Sequence, residues 1–212
     1  MADLDFFFDP VCPWAWITSR WVVEVQQQRE YDVDWRFISL KTINQDLTAE
    51  WYTPEYRAGH MAGLYAHRVC DEVRLRHGNT QVGALYTALG TAFHNQKRRP
   101  EINAGPEAFM AEMLTSVGLP AELATHVDDE SHDTYIEQDT ELALSRTGRD
   151  VGTPIITFRP GTAREASFFG PVISNIPKGE DATRLWDAIE TIAGATGMAE
   201  LKRSLRSRPS FD

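Results

Sequence analysis

The chain opens on an apolar run. Leu4 to Phe8 carries Leu4, Phe6, Phe7 and Phe8 in succession around a single Asp5, which predicts a short strand buried on both faces. Asp9-Pro10-Val11 breaks the run. From Cys12 the spacing becomes helical, with Trp16, Ile17, Trp21 and Val23 forming an apolar face that predicts a helix to about Arg29. Val33 to Leu40 then alternates, with Val33, Trp35 and Phe37 on one side, as a second strand does. Strand, helix and strand in this order form a right-handed βαβ unit.

A long helical region follows. Helices are expected over 54–77, 82–96, 106–117, 120–128 and 130–148, with joints at Gly78, Pro100, Gly105-Pro106 and Gly118-Leu119-Pro120. Strand character returns at Pro154–Phe158 and Ala166–Phe169, separated by the turn residues Arg159-Pro160-Gly161-Thr162. Helical segments near 179–194 and 197–206 close the chain, and no fixed-period repeat is visible. The order βαβ, helical block, ββα predicts an α/β architecture. It reads as a thioredoxin-like fold with an inserted all-α helical domain: 1–45 and 149–212 form the thioredoxin-like part, 46–148 the insertion.

The composition narrows the function. At 212 residues, 42% hydrophobic and 25% charged, the chain can bury a sizeable core. A formal net charge of −10 argues against a nucleic-acid binder. The dense basic run Lys97-Arg98-Arg99, beside Pro100, reads as a solvated loop, with an anchor for an anionic ligand as the other reading. No stretch approaches the ~18 apolar residues of a membrane span. The N-terminus lacks the basic region and cleavage site of a secretory signal, so a cytoplasmic location is expected. Two cysteines, Cys12 and Cys70, are too few for a disulfide scaffold, which turns the question to reactivity.

Cys12-Pro13-Trp14-Ala15 sits where the first strand hands over to the first helix. The unsatisfied N–H groups and positive dipole end of a helix N-terminus stabilise a thiolate, the reactive form of cysteine. Pro13 suits the first helical turn, and the C-terminal edge of a strand is where open α/β sheets place their ligands. A buried cysteine that merely packs is the bland alternative. In dithiol oxidoreductases a second cysteine three residues on resolves the mixed disulfide; here that position is Ala15. Cys12 is therefore confined to monothiol exchange, whether Ala15 is natural or an engineered replacement that traps the intermediate. Cys70, between Ala66 and Val73 on a helical pattern, reads as a semi-buried structural cysteine. Gly152-Thr153-Pro154 precedes an apolar strand. It is either a simple strand start or a cis peptide bond facing Cys12, with the Thr153 main chain open to a substrate.

Several longer strings carry a family likeness: 8–21 (FDPVCPWAWITSRW), Leu85–Gly90, His94-Asn95-Gln96, Phe168–Val172, and the ending from Glu200 to Asp212. Together they resemble the actinobacterial mycothiol-dependent nitroreductases, also described as DsbA-like mycoredoxins, over essentially the whole chain. The resemblance implies a cytoplasmic oxidoreductase that uses mycothiol as its reducing thiol. It also implies a DsbA-like fold whose helical insertion closes over the active cleft. Family members carry a second motif cysteine at the position of Ala15. By the same resemblance Cys12 matches the nucleophile, Trp14 the aromatic beside it, Pro154 the cis-proline and Thr153 the residue before it. Asn44 and Tyr56 match positions lining the substrate cleft, and His94 a histidine of the insertion near it. From the residues alone, Asn44 is equally a helix cap, Tyr56 ordinary packing and His94 a cap or surface group.

No metal is expected. His60 and His67 can share a helix face but have no ligand partner at suitable spacing, and His126 and His132 flank Asp128-Asp129-Glu130, which reads as a solvated helix start. The partners expected are a small-molecule thiol and an electrophilic or disulfide substrate, handled by a monomer or homodimer. Two other functions fit the same residues: a kappa-type glutathione transferase or 2-hydroxychromene-2-carboxylate isomerase, and a non-catalytic binding protein with Cys12 as a relic.

Overall fold

The computed structural model describes residues 2–205 and 207–211. Its centre is β1 (Leu4–Phe8), every residue of which is buried. The sheet runs β2-β1-β3-β4. β2 (Val33–Phe37) lies parallel to β1; β3 (Ile155–Phe158) is antiparallel to β1, and β4 (Ala166–Phe169) antiparallel to β3. Alternation along β1 distributes its side chains between two cores. Leu4, Phe6 and Phe8 enter the larger, with Trp35 and Tyr86, whose ring stacks on Phe8 at 3.8 Å. Phe7 enters a smaller core with Ile38, Ala143, Leu144 and Ile155. Asp5 shares that second face, and its buried carboxylate accepts from Arg146 Nη1 at 2.7 Å.

α1 (Pro13–Gln26) stops three residues short of the expected Arg29. The chain turns there to begin β2, and the Arg29 side chain instead pairs with Asp187 of α8 (Gly179–Ala193) at 2.5 Å. β2 ends at Phe37 rather than Leu40 because Ser39 caps a new short helix, α2 (Leu40–Ile43), accepting from the Thr42 N–H at 3.2 Å.

Between the sheet halves lie α3 (Pro54–His77), α4 (Asn79–Gly90), α5 (Arg99–Ala104), α6 (Pro106–Ser116) and α7 (Asp133–Thr147). α3 and α6 follow the periodicity. α4 starts earlier than expected, at Asn79, whose amide clamps both the N–H and the carbonyl of Trp35. It then widens into a π turn over Thr91–Asn95. Where α4 crosses α1, a Cβ on Gly90 would stand 2.1 Å from the Trp16 ring, so only glycine permits this approach. The two expected helices over 120–148 become 3₁₀ turns at Ala121–Asp128 and Glu130–His132 followed by α7.

The basic run is a loop only at Lys97 and Arg98. Arg99 opens α5, and the Arg98 guanidinium forks between Glu101 and Glu112. That leaves it occupied rather than free for an anion. The helix expected over 197–206 does not form through residue 205; Arg206 lies outside the described residues. The tail instead returns to the body of the protein. The Ser210 N–H donates to the Ser174 carbonyl at 2.7 Å, and Asn95 Nδ2 to the Phe211 carbonyl at 2.8 Å. Among the described residues no helix is long and apolar enough to cross a membrane.

Candidate active site

Antiparallel pairing of β1 with β3 sets Phe7 opposite Ile155, which places the residues leaving β1 beside those entering β3. Cys12 and Thr153-Pro154 therefore meet. Cys12 is the N-cap of α1, with Pro13 at its first position; Pro13 and Trp14 are half-buried and Ala15 is fully buried. The Thr153-Pro154 peptide bond is cis. Thr153 Oγ1 donates to the Phe7 carbonyl at 3.1 Å, fixing the loop to the end of β1. Cys12 Sγ lies 3.4 Å from the Thr153 carbonyl oxygen and accepts from the Ala15 N–H at 3.5 Å. A protonated sulfur satisfies both neighbours, donating to one and accepting from the other.

The helix N-terminus was expected to stabilise a Cys12 thiolate, and burial acts against it. Cys12 is only 6% exposed, and burial pushes its thiol up to about 12. The Ala15 and Trp14 amides pull the other way, and the Asp9 charge adds to the rise. Desolvation outweighs the helix-end donors because they stabilise an anion that has no water. In this closed geometry Cys12 is a stored thiol.

Asp9, a strand breaker within the 8–21 string by sequence, has a structural role that no site assignment gave it. It is fully buried. Its carboxylate accepts from the Val11 N–H at 3.0 Å and the Leu40 N–H at 2.8 Å, and its carbonyl accepts from the Cys12 N–H at 3.0 Å. It thus shapes the loop that presents the thiol. An Asp bonding the N–H two residues on is a recognisable turn signal; the bond to Leu40 had none.

His94, in the π turn, reaches the same loop. Its Nε2 lies 2.9 Å from the Pro10 carbonyl, and its ring stacks on Trp16 and meets Phe211 of the tail. A neutral ring donating Nε2–H satisfies that carbonyl, and burial pushes the His94 pKa down to about 4. Trp16 Nε1 donates to Asn95 Oδ1 at 3.1 Å, so the layer behind Cys12 is tied through Asn95 to the C-terminal tail. Asn44 is the C-cap of α2, its side chain donating to the Leu40 carbonyl at 2.8 Å. Tyr56, in the first turn of α3, is 55% exposed and packs edge-on against Trp51 and His60. Neither is held against Cys12. Cys70 is fully rather than partly buried, in the middle of α3, and burial raises its pKa. Both cysteines are unbridged. The fold also gathers Glu72, His126 and His132, which the linear sequence had kept apart.

A family model described as the Rv2466c-like mycothiol-dependent nitroreductase matches residues 11–203. The uncharacterized protein Rv2286c of Mycobacterium tuberculosis is 30% identical over 204 residues, covering 96% of this chain and 82% of the relative. Among solved structures, the cytosolic disulfide reductase DsbM from Pseudomonas aeruginosa superposes with a TM-score of 0.60 at 15% identity, over 90% of this chain and 99% of its own. DsbM has also been solved with GSH, and that structure matches 78% of this chain and 88% of its own at 16% identity, with a TM-score of 0.54. A probable DsbA oxidoreductase, SCO1869 from Streptomyces coelicolor, gives 0.59 at 15% identity, over 96% of this chain and 94% of its own. These solved structures share the DsbA-like thioredoxin fold.

Proposed function

The chain belongs to the Rv2466c-like family of mycothiol-dependent nitroreductases, thiol-dependent oxidoreductases, and from that premise we propose that Cys12 carries out one-thiol exchange with a low-molecular-weight thiol, mycothiol foremost, in the cytoplasm. The observation that carries this is the contact of Cys12 Sγ with the Thr153 carbonyl at 3.4 Å, while the position that would hold a resolving thiol is Ala15. In the first step the Cys12 sulfur gives up its proton and attacks a disulfide RS–SR. A Cys12–SR bond forms, the S–S bond breaks, and RS⁻ leaves to take a proton. A second thiol, R′SH, then attacks the SR sulfur, restoring the Cys12 thiol and releasing RS–SR′. Each step exchanges one S–S bond for another, so the electrons balance without a second protein thiol.

Burial of the resting thiol means that exchange needs an opening step. In this reading the helical insertion, residues 46–148, moves away from the thioredoxin-like part, 1–45 and 149–212, before a second sulfur reaches Sγ. Pro13, Trp14, Ala15 and the Thr153-Pro154 loop then form the floor and wall of the thiol site. His94 acts as a positioning residue through Pro10, and Asn44 and Tyr56 stand at the rim. That DsbM was solved with GSH agrees with a tripeptide-sized thiol as partner.

Intact-mass measurement after incubation with oxidised mycothiol and with oxidised glutathione tests this. One reductant-removable adduct is expected, larger in yield with mycothiol and absent from Cys12→Ser. No adduct on the parent chain would overturn the proposal. Turnover of a glutathione conjugation without any adduct would favour a kappa-type transferase instead, and ligand binding without either would favour a binding protein.

A further inference from the structure

We propose that Glu72, His126 and His132 form a binding site for a divalent transition ion of the zinc type, remote from the thiol. Glu72 projects from α3, and the two histidines from the 3₁₀ turns that precede α7. His132 Nε2 lies 3.2 Å from His126 Nδ1 and 3.7 Å from Glu72 Oε2, and His126 Nε2 lies 3.5 Å from Glu72 Oε1. An ion with ligand bonds of about 2.0–2.1 Å in tetrahedral geometry sets its ligands about 3.4 Å apart. With His126 binding through Nδ1, its 3.2 Å from His132 Nε2 and the 3.7 Å from His132 Nε2 to Glu72 Oε2 lie near that spacing, and one ligand atom from each of the three residues lies within 4.8 Å of the others.

The proton inventory of the cluster points the same way. His132 is 95% buried, and its Nδ1 lies 2.8 Å from Asp71 Oδ2. Asp71 is itself held by Arg74 at 2.7 Å. A carboxylate accepting from Nδ1–H fixes the tautomer that leaves Nε2 as a lone pair, the arrangement that supports a metal-bound histidine from behind. With the His126 proton on Nε2, that N–H faces Glu72 Oε1 at 3.5 Å, and its Nδ1 lone pair faces the His132 Nε2 lone pair at 3.2 Å. The centre of the cluster then holds opposed lone pairs, which a cation bridges. Asp129 Oδ2, 3.2 Å from His126 Nδ1, is an additional oxygen on the open side. The Arg76 partner of Glu72 is 58% exposed and free to swing into solvent. Two imidazoles and a carboxylate suit zinc better than the all-oxygen sites of calcium or magnesium.

Glu72 lies nine residues along α3 from Gly63, where that helix touches the Asp9 loop; at 1.5 Å per residue this is about 13 Å. The site therefore pins the 3₁₀ turns onto α3 and takes no part in sulfur exchange.

The test uses the full chain, stripped with a chelator and titrated with Zn²⁺ by calorimetry in a non-thiol reductant, alongside His126→Ala and Glu72→Gln. His126 is partly exposed, so its replacement leaves the buried His132–Asp71 pair intact. One Zn²⁺ per chain is expected, with a rise in Tm of about 5–10 °C at a hundredfold excess over Kd. Both variants should bind at least tenfold more weakly while keeping the zinc-free Tm of the parent. Co²⁺ should give a nitrogen–oxygen spectrum without thiolate charge transfer. Absence of stoichiometric Zn²⁺ binding to the parent chain, binding that His126→Ala leaves unchanged, or a thiolate band with Co²⁺ would each overturn the proposal.

Discussion

Gly63 of α3 lies against the Asp9 carboxylate so closely that a Cβ there would stand 2.4 Å from Oδ1. The same carboxylate bonds the Val11 and Leu40 N–H groups and carries the loop in front of Cys12. Gly63→Ala must therefore push Asp9 or α3 aside. The expected cost is about 1–3 kcal/mol by overpacking, read by chemical denaturation. Cys12 should also label faster with a disulfide probe, because the loop that buries it loosens. Unchanged stability together with unchanged labelling would show that α3 yields freely at this point.

Burial of Cys12 predicts a distinctive pH profile. With the thiol pushed up to about 12, labelling of the closed protein is slow at pH 7. It should rise about tenfold per pH unit through pH 10 without a plateau. Folding favours the protonated thiol here. The corresponding stability is fully present below the ordinary thiol pKa of about 8.5–9 and is lost as pH rises towards 12. Cys12→Ser should remove that part of the alkaline loss and leave the part due to Cys70, whose pKa burial also raises. A labelling plateau near pH 7 in the free protein would show an ionised, open thiol instead.

His94 supplies the opposite sign. Burial lowers its pKa to about 4, so the folded state holds it neutral while the unfolded chain protonates near 6.5. Its contribution is present above pH 6.5 and is lost as the pH falls from there towards 4. His94→Gln keeps a donor for the Pro10 carbonyl but does not titrate. Its stability should vary less steeply over this window than that of the parent, by up to about 1.4 kcal/mol per pH unit. His67, whose pKa burial also lowers, accounts for a remaining slope. Identical slopes in variant and parent would show that His94 is already protonated in the folded protein.

The meeting of Cys12 with Thr153-Pro154 was legible from sequence because topology alone delivers it: the end of β1 and the start of β3 are neighbours in antiparallel register. The helix periodicity of α3 and α6 was legible for the same kind of local reason. Burial was not. The order of residues around Cys12 shows a helix N-terminus, whereas the layer formed by Trp16, His94, Asn95 and Phe211 depends on contacts across the whole chain. Asn79 extending α4, Arg98 engaged by Glu112, and Glu72 meeting His126 and His132 are likewise non-local. A local reading therefore starts α4 three residues late, finds no partner for Arg98, and does not join Glu72 to the two histidines.

Ala15→Cys tests the chemistry that separates this chain from a dithiol enzyme. The Ala15 N–H already points at Cys12 Sγ from 3.5 Å, and residue 15 is fully buried beside the nucleophile. Adding one sulfur to that packed position costs about 1 kcal/mol in the reduced protein, but it supplies the missing resolving thiol. The variant should lose two hydrogens on oxidation, seen by intact mass, and should no longer accumulate the Cys12 adduct with oxidised mycothiol. The second sulfur would attack Cys12 of the mixed disulfide and release the small thiol. A single turnover should then reduce a disulfide substrate without a second small thiol, leaving residues 12 and 15 joined by a disulfide that an added reductant must open before the next turnover. Ala15→Ser, equal in chain length but unable to form an S–S bond, should keep the adduct. If the cysteine variant kept it as well, the two sulfurs would be unable to meet in the folded chain, and Ala15 would not be what limits the enzyme to one-thiol exchange.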